Sequence, residues 1–172
     1  MDGIAWASSA MVAAQSRLDI ATENLANVSS DGFHAAVARG RLTEHGVEIA
    51  QVRAPGHGAY RHTGRPFDFA IVGEGVFRLQ AADGTICATR NGAFERDRFG
   101  ALRDDQGRKL VGTTLAPGAS VRAGFIETSN VDAIAEMVGV LTSQRSFESA
   151  EKVVAAIDGV RQKSSDDVAR IK

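Results

Sequence analysis

Ile4, Met11, Leu18 and Leu25 stand seven positions apart at the start of this chain, in a stretch from Asp2 to Val28 that has no proline and, after Gly3, no glycine. That interval keeps side chains on one side of an α-helix, so the stretch is predicted to be helical. Three positions after each come Ala7, Ala14, Ala21 and Val28, and the two sets make an a/d heptad in which large residues alternate with small ones. Such a stripe admits close approach of another helix. At 1.5 Å per residue the helix would be roughly 40 Å long, yet its seam offers few large side chains. Each fully buried Leu or Met brings only about 1.5–3 kcal/mol, while nucleation and chain ordering oppose it. A helix of this kind needs a partner to persist.

Ser29-Ser30-Asp31-Gly32 is turn chemistry and a helix stop. Beyond it, turn pairs such as Pro55-Gly56, Asp83-Gly84, Asn91-Gly92 and Pro117-Gly118 punctuate short apolar runs. Phe67–Val72, Val76–Leu79, Ile86–Thr89 and Lys109–Val111 have strand length, and Asp83-Gly84 between two of them signals a hairpin. Thr128-Ser129-Asn130 then leads into a second long helix, which Ser129 or Asn130 can cap while Asp132 suits its positive end. Ile134, Met137, Val138 and Leu141 form one apolar stripe there, continued by Phe147, Ala150, Val154 and Ile157. The expected fold is α+β: an N-terminal helix (1–29) and a C-terminal helix (129–172) forming a coiled-coil-like pair, bracketing a compact, mainly antiparallel β domain (30–128).

Composition narrows the function. Twenty Lys and Arg against twenty-one Asp and Glu leave a net charge of -1, which gives no electrostatic reason to seek nucleic acid or an anionic membrane. The single cysteine, Cys87, cannot make an intrachain disulfide or a Cys-based zinc site, and reads as a small apolar strand residue. The start of the chain lacks the basic region of a cleavable signal, and no apolar run approaches the roughly 20 residues of a membrane-spanning helix. Gly73-x-Gly75 hints at a dinucleotide loop, but Arg78 stands where a third glycine belongs and no amphipathic helix follows. His34, His45, His57 and His62 lie in loop-like sequence without zinc-motif spacing and are expected to be solvent-exposed. No Gly-x-Ser-x-Gly elbow supports a hydrolase. No catalytic, metal or cofactor site is expected.

Three blocks, in order, resemble the flagellar rod and hook proteins. The first is Leu18-Asp19-Ile20-Ala21-Thr22-Glu23-Asn24-Leu25-Ala26-Asn27-Val28 with Gly32-Phe33. The second is Thr63-Gly64-Arg65-Pro66-Phe67-Asp68-Phe69-Ala70-Ile71 with Gly73, Gly75 and Phe77, then Thr89-Arg90-Asn91-Gly92-x-Phe94, and it is similar to the distal-type subunits. The third is Ile126-Glu127-Thr128-Ser129-Asn130-Val131-Asp132 with Glu136-Met137-Val138 and Gln144-Arg145-x-Phe147-Glu148. The chain departs from the pattern at His34, where Lys is common, at Cys87-Ala88, where an aromatic is common, and at Ala150, where Asn is. It also has no room for the further β domain of distal rod and hook subunits, so its size is that of the smaller proximal ones.

The resemblance implies a non-enzymatic subunit of the basal-body rod, exported through the flagellum's own type III apparatus without signal cleavage and assembled between the two membranes. Its implied partners are other rod and hook axial proteins, further copies of itself and that export apparatus. Terminal helices of many subunits would pack around the export channel, with β domains outside, so that the tube transmits torque. The expected subunit-interface residues are Ile4, Met11, Leu18, Asn24, Leu25, Asn27, Val28, Phe33, Asn130, Val131, Ile134, Met137, Leu141, Gln144, Arg145 and Phe147. Asn24 and Asn27 are either surface or capping residues, or buried amides that fix register; the same choice holds for Gln144 and Arg145. Phe33 is either domain core or an anchor between subunits, and Gly32 a backbone necessity. The rival readings are an accessory module that guides or caps assembly, and a periplasmic glycan hydrolase, which would need a cleft with perturbed carboxylates.

Overall fold

A computed structural model describes residues 3–44 and 46–170 of the chain, with side chains described as far as residue 163. The elements in chain order are α1 (Gly3–Ala26), β1 (Ala36–Thr43), β2 (Gly46–Arg53), β3 (Tyr60–His62), β4 (Phe69–Val72), β5 (Gly75–Gln80), β6 (Ile86–Thr89), β7 (Glu95–Arg96), β8 (Leu102–Arg103), β9 (Lys109–Leu115), β10 (Ser120–Ala123), β11 (Phe125–Glu127) and α2 (Ala133–Arg170). Two helices therefore bracket a β-rich region, as the sequence predicts. The chain folds into two units: one holds α1 as far as Leu25, α2 and the β1–β2 hairpin, and the other holds Ala26–Ala35 and Ala54–Val131.

In the helical unit, the alanine half of the predicted heptad supplies the buried line of α1. Ala7, Ala14 and Ala21 are buried, with Ala13, Ile20 and Asn24 beside them, whereas Ile4, Met11, Leu18 and Leu25 are half-buried. The helices run antiparallel. Asn24 bonds Glu136, a Cβ added to Gly139 would lie 3.7 Å from the Ala21 Cβ, and one added to Gly3 would lie 3.3 Å from Ile157 Cδ1. Small side chains at this line allow that approach. On α2 the side chains of Glu136, Val140, Ser143, Phe147, Ala150, Val154 and Ile157, alternately four and three residues apart, are buried or half-buried. Asp132 starts α2, its Oδ1 accepting from the N–H groups of Ile134 and Ala135 at 3.0 and 3.2 Å. At 1.5 Å per residue α1 is about 36 Å long and α2 about 57 Å. No helix among the described residues is long and apolar enough to cross a membrane.

One expectation for α2 is corrected. Phe147, Ala150, Val154 and Ile157 do not continue the stripe of Ile134, Met137, Val138 and Leu141; they belong to the other, covered face. Leu141 and Phe147 are six positions apart, and six steps along an α-helix turn it through about 240° beyond one full turn.

In the second unit every strand pair is antiparallel. The five-stranded sheet has the order β6-β5-β9-β8-β7, β4 pairs with β10, and β3 with β11. The predicted hairpin joins β5 to β6, where Gly84 adopts φ 87° and Thr85 N–H donates to Asp83 Oδ1. Ile71, Phe77, Leu79 and Phe94 form the core, with Phe69, Leu102 and Leu110 packed on it. Phe77 and Phe94 meet edge to face at 5.3 Å. Gly32 (φ 71°) confirms its expected role: a Cβ there would overlap the Asn91 backbone nitrogen.

Candidate assembly surface and its anchoring clusters

An apolar row on α2 lies exposed on the face turned away from α1. Ile134, Met137, Val138 and Leu141 are 76, 53, 57 and 57 % exposed, and Gln144 and Arg145 extend the row in the open. Burying such side chains is favourable by about 1.5–3 kcal/mol each, so covering a row of them exposed together would be favourable. Arg145 also borders an apolar groove with Trp6, Ala10, Ala150 and Val153 along α1 and α2.

Asn24 is the hinge pin of that unit. It is 0 % exposed. Its Nδ2 donates to Ala36 O at 2.8 Å and to Glu136 Oε1 at 2.9 Å, and its Oδ1 accepts from Ala36 N–H at 2.9 Å. The amide therefore fixes α1 against α2 and against the entry to β1, a register role exercised inside the chain. Val47 N–H donating to Ser9 Oγ and Gln51 donating to Glu23 hold the hairpin along α1.

In the other unit, the corresponding centre is Glu127, also 0 % exposed. Its Oε2 accepts from Arg90 Nε at 2.7 Å, and its Oε1 from His34 Nε2 at 2.8 Å and Gly58 N–H at 3.2 Å. His57 Nδ1 lies 3.6 Å from the same Oε1, and His57 Nε2 is 3.5 Å from Glu74. Arg90 spends its remaining donors on the carbonyls of Ile71, Gly73 and Gly75. The Gly73-x-Gly75 segment is thus a turn clamped by an arginine. Glu127 O also accepts from Gly32 N–H at 2.7 Å. Residues from all three sequence blocks converge on Glu127, through its backbone carbonyl and its carboxylate; Arg90 and Glu127 were legible in the sequence only as members of the second and third blocks, with no role of their own.

Two aspartates hold further turns. Burial pushes the Asp68 carboxyl up, but hydrogen bonds from Arg65 and Thr63 and the nearby Arg65 and Arg61 charges outweigh it and hold the group below its usual range. Arg65 Nε and Nη2 lie 2.9 and 2.7 Å from its two oxygens. Asp97 is held low first by the hydrogen bond from Arg103, then by the N–H groups of Ala101 and Phe99. It lines a cleft with Glu95 and Asp104, but a lowered carboxyl is the opposite of what a glycosidic general acid requires.

The remaining sequence-predicted residues separate. Asn130 does not cap α2: its Oδ1 accepts from Ala35 N–H at 2.7 Å and its Nδ2 donates to Gly56 O, so it ties loops of the second unit, and Asp132 is better placed for the cap. Asn27, Val28, Phe33 and Val131 are half-buried in the second unit, and Phe33 lies outside the Phe77 core. The expectation of exposed histidines fails at His34, whose side chain is 5 % exposed, because Glu127 offers it a buried acceptor. His62 is exposed and packs edge-on against Phe125; His45 lies outside the described residues. Cys87 sits half-buried in β6, as a strand residue.

Residues 4–34 match the flagella basal body rod protein family, residues 70–138 the D1 domain of the flagellar hook protein FlgE/F/G family, and residues 122–166 the C-terminal region of the flagellar basal body rod FlgEFG proteins. The chain belongs to the flagellar rod and hook protein family. Among its relatives in the rod and hook family, the flagellar basal-body rod protein FlgF of Mesorhizobium japonicum is 31% identical over 125 residues, 67% of this chain and 52% of the relative. The rod protein FlgG of Agrobacterium fabrum is 24% identical over 251 aligned positions, covering 92% of this chain and 96% of the relative. The hook protein FlgE of Salmonella typhimurium is 34% identical over 113 residues, 62% of this chain and 28% of the relative. The chain thus spans about half the length of the FlgF relative. An alignment of 251 positions exceeds the 172 residues of this chain, so FlgG carries internal residues that this rod and hook protein lacks.

Proposed function

We propose that this protein is a structural subunit of the flagellar basal-body rod, polymerising helically with other axial proteins and with itself, and that it catalyses nothing. The observation that carries this reading is the exposed row Ile134, Met137, Val138 and Leu141 on a helix whose opposite face is already covered. Neighbouring helices would pack on that row coiled-coil fashion, with Gln144 and Arg145 supplying polar register contacts and half-buried Ile4, Met11, Leu18 and Leu25 the matching seam on α1. Asn27, Val28, Phe33, Asn130, Val131 and Phe147 complete the proposed contact set around the covered core. The segments 1–29 and 129–172 act as the axial helices, and 30–128 stiffens the tube that transmits torque and lines the export channel. Export would use the flagellar type III apparatus, without signal cleavage, to a position between the two membranes.

The test is to replace Met137 and Leu141 together by Asp and count the protein in purified hook-basal bodies by quantitative mass spectrometry against a rod subunit of known identity. Wild type should be present in several copies and the variant lost, while its helical circular dichroism and urea midpoint stay unchanged. A variant retained at wild-type copy number would sink the proposed surface. Absence of the wild type itself from basal bodies would sink the rod assignment and favour the accessory module.

A further inference from the structure

We propose that His34, His57 and Glu127 form a binding site for one divalent transition cation of the zinc type. The ligating atoms of the three side chains all lie within 4.8 Å of one another. They come from three separate segments: the stretch after α1, the loop between β2 and β3, and the end of β11. His34 Nε2 is 2.8 Å and His57 Nδ1 3.6 Å from the same oxygen, Glu127 Oε1. Zinc held at about 2.0–2.1 Å from nitrogen and oxygen in a tetrahedron sets its ligand atoms about 3.3 Å apart. The two separations bracket that value, and all three ligand atoms lie within 4.8 Å of one another.

The surroundings favour a cation at Oε1. Arg90 engages Oε2, leaving the other oxygen aimed at both imidazoles, and Gly58 N–H fixes its direction. His57 turns its other nitrogen toward Glu74 at 3.5 Å, the carboxylate–histidine arrangement that orients a ligating ring. The two rings stand 5.7 Å apart and nearly perpendicular, at 78°. Two imidazoles and one carboxylate suit zinc or its transition-metal neighbours, whereas magnesium and calcium prefer all-oxygen shells. The His57 side chain is 28 % exposed, so solvent water reaches the site from that side. On binding, His34 Nε2 exchanges its proton for the ion and the proton leaves to solvent. The ion would cross-link three chain segments within one unit, independently of the rod assignment.

The test uses the full chain stripped with a chelator and titrated with zinc chloride by calorimetry. One ion per chain should bind, cobalt(II) at the same site should give visible d–d absorption, and zinc should raise the thermal midpoint. His57→Ala, checked for an unchanged circular dichroism spectrum without metal, should lose at least about tenfold in affinity together with the midpoint shift, while His62→Ala should behave as wild type. Binding that does not saturate at one ion per chain, or that survives His57→Ala undiminished, overturns the site; an equal loss in His62→Ala places the ion elsewhere and overturns it too.

Discussion

Arg90 and Glu127 stand 37 residues apart in sequence, yet Arg90 Nε donates to Glu127 Oε2 at 2.7 Å with both side chains buried. The pair joins the turn after β6 to the end of β11 and, through the carbonyls of Ile71, Gly73 and Gly75, locks the turn between β4 and β5. Arg90→Met should remove about 3–5 kcal/mol of stability, because it leaves a buried carboxylate with part of its partners and takes a donor from the carbonyls of Ile71, Gly73 and Gly75. Urea unfolding followed by circular dichroism measures this. A loss under about 1 kcal/mol, the scale of surface ion pairs, would mean that the pair is not buried as described.

Asn24 performs the analogous task with neutral groups. Asn24→Leu keeps the number and branching of the side-chain heavy atoms but strips both Ala36 backbone groups and Glu136 of the Asn24 partner. Unpaired buried polar groups cost about 1–3 kcal/mol each, so helical circular dichroism should melt earlier by an amount of that order. An unchanged melting midpoint would contradict the buried amide bridge.

Gly32 and Gly107 separate two costs that glycine avoids. Both have positive φ, 71° and 76°, but a Cβ at Gly32 would overlap the Asn91 backbone whereas one at Gly107 meets nothing within 4 Å. Gly107→Ala should cost about 1–2 kcal/mol from backbone conformation alone. Gly32→Ala should cost clearly more, to the point of preventing folding. Equal urea midpoints for the two variants would refute the close approach.

Asp68 predicts a pH dependence. Its folded carboxyl is held below the unfolded value of about 3.9. The unfolded chain therefore binds more protons in that range, and the stability contributed by Asp68 is fully present above about pH 4 and lost as pH falls through the folded value. The gap in urea midpoint between wild type and Asp68→Asn should be constant at neutral pH and shrink below pH 4. A gap that persists unchanged into acid would assign the effect of the substitution to packing.

Much of the fold was legible because its signals are local. The seven-residue interval from Ile4 to Leu25, the strand at Ile86–Thr89 and the Asp83-Gly84 hairpin depend on residues a few positions apart, and α1, β6 and the β5–β6 turn follow them. The β1–β2 hairpin carried no such punctuation, since its loop begins at Glu44 without a turn pair and Ser9, Arg17 and Glu23 of α1 border it. Asn130 was legible as a polar residue at a helix start, but its partners Ala35 and Gly56 are 95 and 74 residues away.

The sequence by itself determined the two terminal helices, the strands near Phe69, Phe77, Ile86 and Lys109, and the order of three family blocks, because backbone propensity and side-chain period are properties of neighbours along the chain. Only the tertiary structure decided which half of the heptad is buried and which row of α2 stays open. It alone brought His34, His57, Arg90 and Glu127 together. The reason is physical: a charge or an amide can be buried only where a distant partner satisfies it, and that partner is set by folding rather than by spacing.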